Sequence, residues 1–402
     1  MAERMLAEPD ASDWYYPIFI TWPSDGLSAY SERLFKLRQA KHSPAIAIPT
    51  SPFFLLRDLL VGIVDIPRNW SNQGATDTQL GLRVAFGIDV FHHWTYVDQI
   101  YQAFPHSLDE VNAKSVTLAK GDYNRGVLAQ ASRFLAYWSL LPLKLVTSSL
   151  VLDGLGTGAW EVMLHRAQNL FRPAKDFERA GRQEDPFKIR EKLEEGATGA
   201  FAELLRALNR RNHPDPRKDR AGAPPDVCYH IVLVGHSMGA IVINEALRNF
   251  QNLPVTRIVY MAPACSIHDA EQCVLPFMDR NAAVRFHLLT LHPEAESDEW
   301  NAFDTVPRGS LLEWVDNFFT SPTSHSEQRL GKWINILQAL QIFAKKTIRG
   351  RVTIKAFGVE GNSLPQTHGQ FNECPFWEKD FWNPEGPFLY VYNGTGRIVP
   401  KP

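Results

Sequence analysis

Short apolar runs, separated by longer stretches of helical periodicity, set the pattern of this chain. The runs fall at residues 16–22 (YPIFITW), 44–48 (PAIAI), 229–235 (YHIVLVG), 257–262 (RIVYMA), 284–291 (VRFHLLTL) and 351–357 (RVTIKAF). Several are continuously apolar, as strands buried on both faces of a parallel sheet tend to be. Helical patterns at 27–40, 189–209, 240–250, 267–278 and 329–345 lie between them. This alternation predicts an α/β fold built on a doubly wound, mostly parallel sheet with right-handed crossovers.

Two stretches break the alternation. Residues 51–182 are long, mostly helical in pattern and rich in aromatics, including Phe53, Phe54, Trp70, Phe91, Trp94, Tyr96, Phe134, Tyr137, Trp138 and Trp160. They are expected to form a helical cap or lid inserted into the sheet domain. Residues 1–50 would then carry the first strands and 183–402 the remainder. Within the insertion, 134–152 (FLAYWSLLPLKLVTSSLVL) holds a single charge, Lys144. It is about long enough to cross a bilayer. Pro142 near its middle favours a broken, buried helix pair, with contact with a membrane surface as the intermediate reading.

Composition narrows the function. A chain of 402 residues that is 45% apolar and 21% charged can bury a large core. Its net charge of −2 gives no global field that would steer it to nucleic acid. Arg210, Arg211, Arg217, Lys218 and Arg220 sit in a Pro-rich stretch and read as a solvated loop. Four cysteines without a C-x-x-C pair support no disulfide framework, metal site or redox motif, and no cofactor is expected. The N-terminus lacks the apolar core of a secretory signal, so a cytoplasmic setting is the expectation.

The candidate chemistry centres on Gly235-His236-Ser237-Met238-Gly239. The sequence G-x-S-x-G between an apolar strand and an amphipathic helix describes a nucleophile elbow. The serine sits on a sharp turn that needs small neighbours two residues away on either side. The Met238 N–H would then point at a developing oxyanion. Residues 232–247 resemble the elbow of α/β-hydrolase lipases and esterases and, more loosely, that of the GPI-inositol deacylase-like lipases. The resemblance is specific over about 230–262 and architectural elsewhere.

It implies an acid and then a histidine after later strands. His368, in a loop beyond the last run, is the expected base, with His325 as the runner-up. His287 lies within a strand pattern. The acid is expected in HPEAESDEWNAFD, where Glu294, Glu296, Asp298, Glu299 and Asp304 compete. Glu296 is favoured, with Asp298 and Asp304 behind it, because the acid must sit in a tight loop to fix the imidazole tautomer. The second oxyanion donor would come from Trp22 or Ser24, since Pro23 has no N–H. The short stretch before residue 16 predicts a fold lacking its first two strands.

These features together point to a serine hydrolase cleaving a carboxylic ester through an acyl-enzyme, with an apolar cover suited to a lipid-like or acyl substrate. A membrane-acting phospholipase, including one exported as an antibacterial effector, is an alternative on the same fold. A non-catalytic binding protein of this fold is the alternative from another class.

Overall fold

The computed structural model describes residues 16–20, 25–38, 41–74, 116–120, 132, 135, 138–171, 199–212, 230–297, 299, 305–343, 346–348, 350–357, 364–393 and 398–401. Five parallel strands form the central sheet: β1 (Val116–Lys120), β2 (Ile231–His236), β3 (Val255–Met261), β4 (Arg285–Leu291) and β5 (Val352–Phe357). Their order is β1-β5-β4-β3-β2, with register pairs such as Val234 with Val259 and Leu288 with Ile354. Strands β3 to β5 are almost wholly buried, which accounts for their unbroken apolar runs. Strand β2 is at the sheet edge among the described residues and is mostly half-buried.

Both faces of the sheet are covered. Helices α6 (Gly239–Asn249) and α7 (Ile267–Arg280) pack together, and the Asn244 side chain of α6 accepts a 2.6 Å bond from Tyr260 of β3. Helix α10 (Ile336–Phe343) brings Phe343 within 5.2 Å of Phe286 on β4, ring centre to ring centre. The neighbouring residue, His287, points the opposite way and faces Trp382 at 5.8 Å, as alternation along a strand requires. On that second face Phe357 of β5 stacks on Phe381 at 4.8 Å and meets Phe371 edge-on.

Lys355, on β5, anchors this aromatic layer. Its side chain is fully buried. Its ammonium lies within hydrogen-bond range of five backbone carbonyls, those of Asp380, Phe381, Asn383, Gly386 and Pro387, at 2.8–3.5 Å. The rings of Phe357 and Phe388 lie 5.0 and 4.7 Å away.

The N-terminal half differs from the sequence expectation. Residues 44–48 open a helix, not a strand: α2 spans Pro44–Val64. Pro44 occupies the first turn, where the missing N–H costs nothing. Residues 16–20 are not in a strand, and Tyr16 is exposed. Ahead of α2 lie α1 (Gly26–Phe35) and a two-residue hairpin, Leu37–Arg38 with Lys41–His42. Within the expected cap, 116–120 joins the sheet as β1, paired with β5. The cap also contributes α3 (Leu141–Thr147), nine residues of wider π-type turns at Ser148–Gly156, and α4 (Thr157–Asn169). Helix α5 (Ala200–Asn212) follows.

Candidate active site

Strand β2 ends in a turn whose central residue is Ser237, with φ at 52°. That left-handed conformation disfavours side chains other than glycine by roughly 1–2 kcal/mol. Its neighbours lock it in place. The Ser237 N–H donates to Met261 O at 2.9 Å, and Ser237 O accepts from Ala264 N–H at 3.0 Å. A Cβ at Gly235 would come within 2.8 Å of the Ala240 nitrogen and of the Ile243 side chain. Glycine is therefore required there. At Gly239, by contrast, a Cβ would meet nothing within 4 Å, so sterics do not demand glycine on the far side of the serine. Among the described residues no acceptor takes the Met238 N–H, which leads into helix α6. An oxyanion donor must be left free in this way.

His368 lies beside this turn. Its ring centre is 4.9 Å from that of His236, the residue preceding Ser237. Its backbone is clamped at both ends: His236 Nε2 donates to His368 O at 2.9 Å, and the His368 N–H donates to Glu299 Oε2 at 2.8 Å. A capping box at Thr367 and Gln370 sets the turn, and Leu364 bridges to Tyr390 on a two-stranded hairpin, β6 (Tyr390–Tyr392) with β7 (Ile398–Pro400). Neither ring nitrogen of His368 has a hydrogen-bond partner among the described residues. Burial, with the nearby His236, holds the ring well below the usual histidine range, so it is neutral at pH 7. A neutral imidazole with a free nitrogen is the form a general base requires.

The acidic loop sorts its carboxylates by direction. Helix α8 (Pro293–Ser297) carries Glu296, the acid favoured from sequence. Its carboxylate accepts from the Ser310 hydroxyl at 2.7 Å, tying α8 to the cap of α9 (Leu311–Trp314). Burial, and next the charge of Glu313, raise its pKa, with Lys332 opposing. Glu296 is thus bonded to Ser310 and makes no hydrogen bond with the His368 ring. Glu299 lies just past the end of α8 and turns toward His368. Burial raises its pKa to about 7, partly offset by the bond from His368. Asp298, Asp304, Trp22 and Ser24 lie outside the described residues, and so do the side chain of Glu294 and the basic residues at 217–220.

The other candidate histidines sit elsewhere. His325 is on the surface beside Gln328. His287 is buried on β4 with both nitrogens unpaired among the described residues, and burial, then Arg257 and Arg285, lower it to about 4. The folded protein therefore keeps it neutral down to about pH 4, while the unfolded chain protonates from about 6.5 downward. Its contribution is complete above pH 6.5 and is lost as pH falls, amounting to about 2 kcal/mol at pH 5. His287→Gln should thus lose less stability between pH 8 and pH 5 than the parent, by about that amount in thermal unfolding. An identical pH dependence in the two proteins would refute this role.

A cavity of about 440 Å³ lies behind α6, lined by Trp160, Ile241, Asn244, Arg248, Asp269 and Arg329 among others. Neither Ser237 nor His368 borders it. Among the described residues no cluster of His, Cys, Asp and Glu could hold a metal ion.

A parallel sheet with a serine on a left-handed turn between strand and helix defines an α/β-hydrolase architecture. Residues 150–347 match the family model described as "Alpha/beta hydrolase family", and the chain belongs to the α/β-hydrolase superfamily and is a hydrolase. No curated protein and no solved structure matches the chain. The matched stretch contains Ser237, Glu296 and Glu299 and ends before His368, whose assignment rests on geometry.

Two members of this arrangement were not legible as such in the sequence. His236 is the variable residue of the motif, and only the fold brings its ring to the His368 carbonyl. Glu299 was one of five competing carboxylates, with no local signal to separate it from Glu296.

Proposed function

We propose that the chain is a serine ester hydrolase in which Ser237 attacks the carbonyl and His368 moves the proton. In the same reading Glu299 is the carboxylate partner of the histidine, and water releases the acyl group. The observation that carries this reading is the left-handed Ser237 turn with the His368 backbone clamped next to it by His236 and Glu299. In this reading the Glu299 carboxylate turns from the backbone N–H to the ring of the same residue and fixes the tautomer. The Met238 N–H supplies one oxyanion donor, and Trp22 remains the proposal for the second. A lipid-like or acyl ester is the proposed substrate class, on the aromatic sequence of the insertion outside α2 and the Leu141–Gly156 run, whose apolar side chains face outward.

Glu299 and Glu296 give the test. Glu299→Gln is expected to lower kcat by roughly 10²- to 10⁴-fold, by analogy with removing the triad carboxylate's charge. Glu296→Gln should cost less than about tenfold. Because the Glu299 carboxyl titrates at about 7, its charge is lost as pH falls below that value. Parent activity should decline there, and Glu299→Gln should flatten this limb. Wild-type rates in Glu299→Gln, with the fold intact, would remove Glu299 from the site. Nitrophenyl esters from acetate to palmitate, compared with phospholipid vesicles, would separate an esterase from a phospholipase. Absence of turnover on all of them would overturn the ester-hydrolase reading.

A further inference from the structure

Helix α2 and the helical run from Leu141 to Gly156 pack against each other with their polarity inverted relative to a water-soluble pair. The outward face is apolar: Phe53, Leu56, Leu60 and Val64 from α2 and Val146 and Val151 from its partner are all exposed, Phe53 by 73% and Val64 by 74%. The inward face holds the polar groups. Asp58, Lys144, Ser148 and Asp153 are buried, Lys144 completely. Asp58 takes a two-pronged bond from Arg33 of α1, at 3.1 and 3.2 Å, and Asp153 takes one from Asn69 at 2.8 Å. In water such a pair would turn these faces the other way, since exposing apolar area costs roughly 25 cal/mol per Å².

Three further observations point to the same medium. Among the described residues α2 is the one helix long and apolar enough to cross a membrane, and little of it is buried. Its 21 residues rise to about 31 Å, close to the thickness of bilayer hydrocarbon. The two helices also touch through small residues. A Cβ on Gly62 would lie 2.2 Å from Ser149 O, and one on Gly154 would lie 2.8 Å from Asp58 O. Close backbone approach at small residues, with polar side chains bonded inside, is how helices associate in lipid, where no water drives their apolar faces together.

We propose that α2 and the Leu141–Gly156 run form a packed pair whose outward face embeds in the hydrocarbon of a lipid bilayer, holding the hydrolase at the membrane. Arg57, exposed on this same outward face between Phe53 and Leu60, would have to extend its charged end to the headgroups. The placement goes beyond the catalytic reading and does not depend on which ester is cleaved. A second copy of the chain docking on the same face is the competing occupant.

The test is flotation of the full chain with vesicles of phosphatidylcholine and phosphatidylglycerol. The parent should float with the vesicles. The double variant Phe53→Glu, Leu60→Glu should lose at least tenfold in bound fraction while keeping its unfolding temperature and its turnover of a short soluble ester. As a second readout, Phe53→Cys in a Cys228→Ser background carries an environment-sensitive dye. The other three cysteines are buried. The dye should shift to the blue when vesicles are added. A parent that stays unbound, a charged variant that floats like the parent, or a dye that does not respond overturns the proposal. So does a parent dimer that the glutamates split while vesicle binding is absent, which would assign the face to a second copy.

Discussion

Ser237→Ala is expected to abolish ester hydrolysis, lowering kcat/KM by roughly 10⁴- to 10⁶-fold, while thermal unfolding stays within a degree or two of the parent. The size of the kinetic effect follows from removing the one atom that forms the acyl bond; what survives is the contribution of binding and the oxyanion hole. The unchanged stability follows because alanine inherits both the turn and its bonds to Met261 and Ala264, which use only the backbone. Ser237→Gly separates strain from chemistry. With φ at 52°, glycine relieves the left-handed conformation at some entropic cost, so this variant should be about 0.5–1 kcal/mol more stable and equally inactive. A catalytically inactive variant that is more stable than its parent marks strain held for function. If Ser237→Ala retained more than about a tenth of the activity, another nucleophile would have to be sought.

The second large effect is on stability. Lys355→Met should destabilise the fold by about 3–5 kcal/mol, because methionine fills a similar volume but leaves the surrounding carbonyls without a donor. The Lys355 amine, whose pKa burial lowers to about 7, shares its protons among five carbonyls of residues 380–387. Those carbonyls shape the segment that carries Phe381 and Trp382 across the sheet. Phe357, Phe371 and Tyr390 pack in the same layer, and Tyr390 in turn holds Leu364 at the start of the histidine loop. Loss of this donor should therefore lower the unfolding temperature by several degrees and reduce kcat beyond the stability loss. Chemical denaturation of the variant measures the first effect. A midpoint equal to the parent's would mean that water replaces the ammonium without cost.

Legibility from sequence followed the range of the interactions involved. The elbow could be read because everything it needs, an apolar strand, Gly235, Ser237 and an amphipathic helix, falls within about twenty consecutive residues. His368 was accessible through chain order and its place beyond the last strand. Glu299 was not, because Glu296 and Glu299 are three residues apart in one acidic loop. What separates them is which carboxylate the end of α8 turns toward the histidine and which Ser310 captures. The PAIAI run at 44–48 mimicked a buried strand because a short apolar run has no distinguishing period. Prolines at 49 and 52 stand inside α2, where local rules disfavour them. Strand β1 escaped notice because VTLAK lies alone amid aromatic, helix-patterned sequence, and its pairing with β5 spans more than 230 residues. The same apolarity that suggested a cap at 51–182 is, in α2 and its partner, displayed outward instead of folded over the serine.

Covalent labelling reports directly whether Ser237 is an activated nucleophile with His368 as its base. The folded chain is incubated with a fluorophosphonate at neutral pH and the adduct is located by peptide mass spectrometry. A single stoichiometric adduct on Ser237 is expected, formed roughly a hundredfold or more slower in His368→Gln. A folded parent protein that takes no label, or that is labelled with Ser237 left unmodified, would contradict it.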